Sequence, residues 1–183
     1  MHNLSDAEKG YLAGLIDGEG SISIVRATTG YNRKSRRIHH QLRVSVYNTD
    51  INMVEWVKSR VGFGHIARRK QQSERHKPSY QYQVCALKAL EILRAVHPYL
   101  VTKKRQAEVA FIFGSTIKER LNNGCGRRGI AQNIVDLRES CKVSINALNG
   151  NNGGHKLRLW KNNGCELGEL PAERRDNPEP SRN

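Results

Sequence analysis

Two carboxylates flank a single glycine, at Asp17 and Glu19, where the stretch LAGLIDGEG (residues 12–20) gives way to a strand-like SISI. Their surroundings are basic. Between Glu19 and Asp50 there is no acid at all, while Arg26, Arg33, Lys34, Arg36, Arg37 and Arg43 fall inside the same interval. A phosphate drawn to those arginines would be repelled by a bare carboxylate unless a divalent cation stood between them. Oxygen ligands and a retained water shell suit Mg²⁺, with Mn²⁺ as an alternative. Metal-assisted hydrolysis of a phosphodiester is the chemistry that such a combination serves. Two solvated acids at a turn are the plainer reading of the same residues.

The charge of the whole chain points the same way. Its 183 residues carry 31 Lys and Arg against 17 Asp and Glu, a formal +14. Such a balance implies a polyanionic partner, nucleic acid before a membrane surface. A second acid-free stretch, Val57 to Ser73, holds Lys58, Arg60, Arg68, Arg69 and Lys70. Both blocks fall on segments that read as strands and their connecting loops, and the strand faces are rich in Gln, Ser and Tyr. A solvated basic surface accounts for the charge but not for that coincidence. Arg and Gln match guanine and adenine edges, Ser, Tyr and Lys serve phosphates, and an antiparallel ribbon fits a major groove. The candidate contacts are Ser23, His39, Gln41, Arg43, Ser45, Tyr47, Gln81 and Gln83, facing outward, together with the basic Arg26, Arg33, Lys34, Arg36, Arg37, Arg68, Arg69 and Lys70. Ser23 reads equally well as an ordinary polar strand residue, and His40, on the opposite parity from His39, as packing.

Other classes are disfavoured. The mean hydropathy is -0.67, and no run approaches the roughly 18 apolar residues of a membrane helix. The N-terminus MHNLSDAEKG is too polar for a signal peptide, so the expected setting is intracellular, an organelle or a prokaryotic cytoplasm, with no membrane partner. Four cysteines without a CxxC or CxxxH pair argue for reduced thiols and against structural zinc.

The elements that position these residues can be read along the chain. Ser5 and Glu8 form a capping-box pattern that starts a helix over about Asp6 to Asp17. Gly10, Gly14 and Gly18 recur every fourth position on one side of it, with Ala13 adding small surface. Each interior glycine costs roughly 1 kcal/mol relative to Ala, so close approach of another backbone is expected. That backbone belongs either to the same chain or to an identical helix of a second copy; Gly18 doubles as a candidate C-cap. GSISIV then alternates as a strand. IHHQLRVSVY alternates most cleanly, with His40, Leu42, Val44 and Val46 on one face and Gln41, Arg43, Ser45 and Tyr47 on the other. The parity of Ile22 and Ile24 puts Arg26 on the buried side, in conflict with its place among the binding residues.

Thr49 is the candidate cap of a helix in which Met53, Trp56, Val57 and Arg60 share a face, and Gly62 ends it. GHIARRK and SYQYQVC read as strands, the latter with Tyr80, Tyr82 and Val84 inward. ALKALEILRAV is a helix stopped by Pro98, and another helix spans about Lys103 to Arg120. Ile130, Ile134, Leu137, Cys141, Ile145 and Leu148 predict one more amphipathic helix. The order helix–strand–strand–helix–strand–strand–helix–helix is that of an α+β domain whose antiparallel sheet keeps its helices on one face. The expected domain is 1–150, with its core in 5–120 and a C-terminal helix over about 130–148. Residues 151–183 form an Asn/Gly- and Pro-containing extension whose tail has the composition of disorder.

LAGLIDGEG resembles the signature of the LAGLIDADG homing endonucleases, and its single copy resembles the homodimeric branch of that family. GSISI, HHQLRVSVYNTD, VGFGHIARRK, YQYQV and PYLVTKKRQAE follow in the family's order, so the likeness covers about residues 5–120. The resemblance implies a mixed α/β LAGLIDADG-type fold, its four strands forming a saddle on DNA. Two first helices would pack at the dimer centre through Gly10, Ala13, Gly14, Asp17 and Gly18. Glu19 would be the metal ligand, joined by the Gly18 carbonyl, and Asp17 structural, capping or bonding across the helix pair. Asp50 would order water near the metal, and Lys103 would stabilise charge at the scissile phosphate. Two departures stand out: Glu19 occupies a position where Asp is common, and Asp50 replaces an amide, which makes metal binding its alternative role. The implied activity is an intron-encoded, site-specific endonuclease that cuts a long pseudo-palindromic double-stranded DNA. An RNA maturase acting on its host intron RNA, or a DNA-binding regulator without cleavage, is the alternative on the same scaffold. The presence of both Glu19 and Lys103 favours cleavage.

Overall fold

The computed structural model describes residues 4–29, 37–69, 77–122 and 130–150. In chain order these form α1 (Asp6–Glu19), β1 (Gly20–Thr29), β2 (Arg37–Asn48), α2 (Ile51–Val61), β3 (His65–Arg68), β4 (Tyr80–Cys85), α3 (Ala86–Val96), a 3-10 turn (His97–Tyr99), α4 (Lys104–Asn122) and α5 (Gln132–Asn149). The fold is α+β, as expected.

Helix α1 starts with the capping box read from the sequence. The Glu8 N–H donates to Ser5 Oγ at 3.3 Å, and the Ser5 N–H donates to the Glu8 carboxylate at 2.8 Å. Two orphan donors are thereby satisfied. The helix continues past Asp17 to Glu19, and its C-cap is Gly20 instead of Gly18. A Cβ at Gly20 would stand 2.5 Å from the Ile16 carbonyl oxygen. Only glycine therefore lets the helix pass directly into β1 and set Glu19 at the corner.

The sheet is antiparallel, in the order β1-β2-β4-β3. Gly20 pairs with Val46, Arg26 with His40, and Arg43 with both Ser23 and Cys85. Side chains alternate faces along a strand, so this register sorts them into two sets. Ile22, Ile24, Leu42, Val44, Val46, Tyr82 and Val84 are buried against the helices. Leu12, Ala13 and Ile16 of α1, Val54 and Val57 of α2, Leu90 and Leu93 of α3 and Phe113 of α4 complete the core.

Two local expectations change. The cap of α2 is Asp50, whose carboxylate accepts the Asn52 N–H at 2.9 Å, in place of Thr49; Gly62 ends that helix with φ 82°. Helix α3 covers ALKALEILRAV as expected, and Pro98 lies in the 3-10 turn that follows it. In α5 Cys141 and Ile145 are buried, but Leu137 and Leu148 are exposed. Arg138 is buried among that set: its Nε donates to Thr116 Oγ1 at 2.8 Å, its Nη2 to the Thr116 carbonyl at 3.0 Å, and its guanidinium lies 5.7 Å from the Phe113 ring centre. Among the described residues, no helix is long and apolar enough to cross a membrane.

Candidate active site and nucleic-acid interface

The end of α1 gathers the charged groups. Glu19 is exposed and makes no hydrogen bond or ion pair among the described residues. Asp17 is turned back into its own chain. Its Oδ2 accepts the backbone N–H of Val101 at 2.7 Å and of Thr102 at 3.3 Å, and its Oδ1 accepts that of Lys103 at 2.9 Å. Burial works to raise the Asp17 pKa, but the backbone donors outweigh it and hold the carboxyl below its ordinary value. The Lys103 ammonium donates to the Asp17 carbonyl oxygen. Carbonyls of a last helical turn lack intrahelical partners and carry the negative end of the macrodipole. No basic residue lies in the last turn of α1, so Lys103 supplies the missing cation from elsewhere in the chain.

Because Gly20 pairs with Val46, the end of β2 runs past this corner and carries Asp50 beyond it. Asp50 is exposed, and its Oδ1 accepts from both the backbone and the side-chain nitrogen of Asn52. The carboxylate expected to order water is thus also a helix cap.

The residues fit a divalent cation of modest protein ligation. Among the described residues no group of three or more His, Cys, Asp and Glu is arranged to hold a metal ion. One chain offers the Glu19 carboxylate and the neighbouring Gly18 carbonyl, and a cation that keeps several of its waters suits so sparse a donor set.

The sheet face opposite the core carries Ser23 of β1, His39, Gln41, Arg43, Ser45 and Tyr47 of β2, and Gln81 and Gln83 of β4, as their parity predicts. They form a bonded patch. The Gln81 Nε2 amide faces Ser45 Oγ at 3.1 Å, Tyr47 Oη at 3.2 Å and Gln83 Oε1 at 3.0 Å. The Arg69 guanidinium lies 5.2 Å from the Tyr47 ring centre, which keeps Arg69 on this side. Arg43 sits on a central strand with its Nε buried and unpartnered. Ser45 is on the expected face yet only 1% exposed, covered by its neighbours. His65 belongs to the same face, opposite Gln83. Sequence reading passed over it, although its alternation with the inward Ile66 was available.

Two basic residues lie on the other face. Arg68 pairs with Tyr80 and shares the parity of Ile66 and Tyr82, so it points to the helix side. Arg26 follows Ile22 and Ile24 and forms an ion pair with Glu139 of α5 at 2.9 Å. The expectation that either faces outward with the Gln and Ser residues is corrected. Glu139 also accepts from His40 Nε2 at 2.6 Å and Lys142 Nζ at 2.7 Å. Arg33, Lys34, Arg36 and Lys70 lie outside the described residues, and Arg37 opens β2 opposite Thr29.

The small-residue stripe of α1 divides. Ala13 is fully buried in the core, which corrects its place at a dimer contact. A Cβ on Gly10 would meet the Tyr99 ring at 3.9 Å, within the same chain. Gly14 and Gly18 are exposed, with nothing inside 4 Å of a Cβ. Asp17 spends its carboxylate on its own chain.

Comparison with known proteins agrees with this architecture. The family model described as LAGLIDADG endonuclease matches residues 12–112. Among curated proteins none matches the sequence. Among solved structures, the homing endonuclease I-CvuI in complex with the I-CreI target in the presence of 2 mM Mg superposes with a TM-score of 0.59 at 15% identity, covering 80% of this chain and 85% of that one. The LAGLIDADG meganuclease I-CpaMI bound to uncleaved DNA gives 0.57 at 20% identity, over 93% and 54% of the two chains. The archaeal intron-encoded homing endonuclease I-Vdi141I complexed with DNA gives 0.54 at 20% identity, over 74% and 82%. At these identities the structures speak for the fold, and the family model speaks for descent: this chain belongs to the LAGLIDADG endonuclease family.

Proposed function

We propose that this chain is an intron-encoded, site-specific endonuclease that works as a homodimer and cuts a pseudo-palindromic double-stranded DNA with the help of a divalent cation. The observation that carries the reading is the end of α1. An exposed Glu19, without a hydrogen bond or ion pair among the described residues, ends the helix whose Asp17 carbonyl the Lys103 ammonium engages. A lone surface acid weakens binding to DNA by repelling phosphate, so its place at the tip of a helix in a chain of charge +14 asks for a cationic bridge. Mg²⁺, or Mn²⁺, held by Glu19 and the Gly18 carbonyl, would supply Lewis-acid stabilisation and a more acidic water. Lys103 places positive charge where charge develops on the scissile phosphate. Asp50 offers its second carboxylate oxygen to a water. Ser23, His39, Gln41, Arg43, Tyr47, Arg69, Gln81 and Gln83 read base edges and phosphates, with Ser45 buried beneath them as support for Gln81 and Arg33, Lys34, Arg36, Arg37 and Lys70 adding phosphate contacts.

The homodimer is supported by the open Gly14 and Gly18 surface of α1. The fold spans 85% of I-CvuI but 54% of I-CpaMI, as one of two comparable units would. A two-fold protein suits a two-fold target. Such an enzyme works where DNA is, in an organelle or a prokaryotic cytoplasm.

The test is cleavage of a randomised duplex library in Mg²⁺, with Glu19→Gln and EDTA alongside. Cutting of both strands within one near-palindromic consensus is expected from the wild type, and Glu19→Gln should be at least about a hundredfold slower, as loss of several kcal/mol of metal stabilisation requires. A consensus that is bound but never cut, or affinity for intron RNA alone, would overturn the reading.

A further inference from the structure

We infer that Asp17 is a positioning residue for Lys103: the placement of that ammonium is set by α1, from a distant part of the chain, and not by the helix that follows Lys103. The inference rests on the role just proposed for Lys103. The turn at 101–103 has little else to hold it. Val101 is 83% exposed and Thr102 is exposed, and the nearest buried side chains are Leu100 before the turn and Gln106 after it. Between those anchors, three consecutive backbone N–H groups converge on one carboxylate, at 2.7, 3.3 and 2.9 Å. Hydrogen bonds to an ionised acceptor are about twice as strong as neutral ones.

Lys103 is then tethered twice to one residue. Its N–H meets the Asp17 side chain and its ammonium meets the Asp17 carbonyl, 86 positions away in sequence. Left to its own helix, this segment would drift. Lys103, Lys104 and Arg105 put three positive charges at the start of α4, where the macrodipole disfavours them, and α4 has no acid in its first turn. Asp17 supplies the carboxylate that the turn lacks, and it does so from two residues before Glu19. The carboxylate that would meet the metal and the ammonium that would meet the phosphate are thus spaced by a single helix end. A role limited to capping α4 would not require that the ammonium return to the same residue.

Competitive acylation of lysines in the full chain, without DNA or metal, tests the tether directly, with the exposed Lys104 as internal reference. Lys103 is expected to react at least about fivefold more slowly than Lys104 in the wild type, a reduction consistent with one charged hydrogen bond. Asp17→Asn should erase the difference, and a Lys103 still protected in that variant overturns the inference. The kinetic arm uses the duplex selected from the library. Asp17→Asn should slow single-turnover cleavage about tenfold, with DNA affinity in Ca²⁺ changed less than about threefold, and combining it with Lys103→Ala should add nothing to the loss from Lys103→Ala alone. Losses that multiply overturn the inference. If Asp17→Asn is too unstable to assay, Asp17→Glu keeps the charge and shifts the carboxylate by a methylene; cleavage at the wild-type rate in that variant overturns it too. A wild-type rate in Lys103→Ala refutes the role of Lys103 in cleavage, while the acylation result still decides whether Asp17 positions it.

Discussion

Replacing Glu139 by Gln should loosen α5 from the β1–β2 hairpin, and the structure says by how much and at which pH. The carboxylate accepts from Lys142 at 2.7 Å, from His40 at 2.6 Å and from Arg26 at 2.9 and 3.3 Å. The Lys142 bond, opposed by burial and reinforced by His40 and Arg26, brings the carboxyl from 4.5 down to about 2. At about 1.36 kcal/mol per pH unit that depression is formally worth about 3 kcal/mol. One third of the side chain is in water, and solvent screening reduces the figure to about 1–1.5 kcal/mol. A carboxyl with a depressed folded pKa stabilises above its unfolded pKa and loses that contribution as pH falls through the folded value. The contribution is therefore complete at pH 7 and decays between about 4.5 and 2. Urea unfolding of wild type and Glu139→Gln at several pH values across that window is the assay. The wild type should be more stable by about 1–1.5 kcal/mol at pH 7, or roughly 2–6 °C in Tm, and the two curves should converge toward pH 2. A difference that stays constant with pH, or none at pH 7, would refute the reasoning.

Two further substitutions address α1. Gly14→Leu places its Cβ in open space, and Leu exceeds Gly in helix propensity by roughly 0.5–1 kcal/mol, so each chain should still fold; sedimentation should show the dimer lost and cleavage with it, and an unchanged dimer sinks the helix-pair reading. Gly20→Ala meets the Ile16 carbonyl at 2.5 Å and should cost about 1–3 kcal/mol in thermal unfolding, as overpacking does; a neutral result would mean that the corner between α1 and β1 relaxes freely.

Much of this was legible in the sequence because it depends on near neighbours. The capping box at Ser5 and Glu8 needs three residues, and the faces of β2 need only alternation. Once Leu42, Val44 and Val46 are assigned inward, the outward set follows from geometry. What escaped depends on contacts between distant residues. Arg26 obeyed the parity of Ile22 and Ile24, and its Glu139 partner, 113 residues on, was not visible. Arg68 shares the alternation of Ile66, but its face is fixed by pairing with Tyr80, a contact between two strands. Asp50 displaced Thr49 as cap because β2 ends at Asn48 and the carboxylate then reaches Asn52. The glycine stripe divided because helical spacing identifies a side of α1 but not which neighbour, Tyr99 or a second chain, occupies it.

The patch around Gln81 has a consequence for anyone who alters this surface. An amide carries two hydrogens, yet three acceptors on Ser45, Tyr47 and Gln83 surround that one nitrogen. At any moment at most two of them take a hydrogen from it, and removing any member reassigns the hydrogens among the rest. Substitutions at these four positions will therefore not combine additively. Selections that vary them one at a time will misrank the combinations, and a library aimed at new recognition has to randomise all four together.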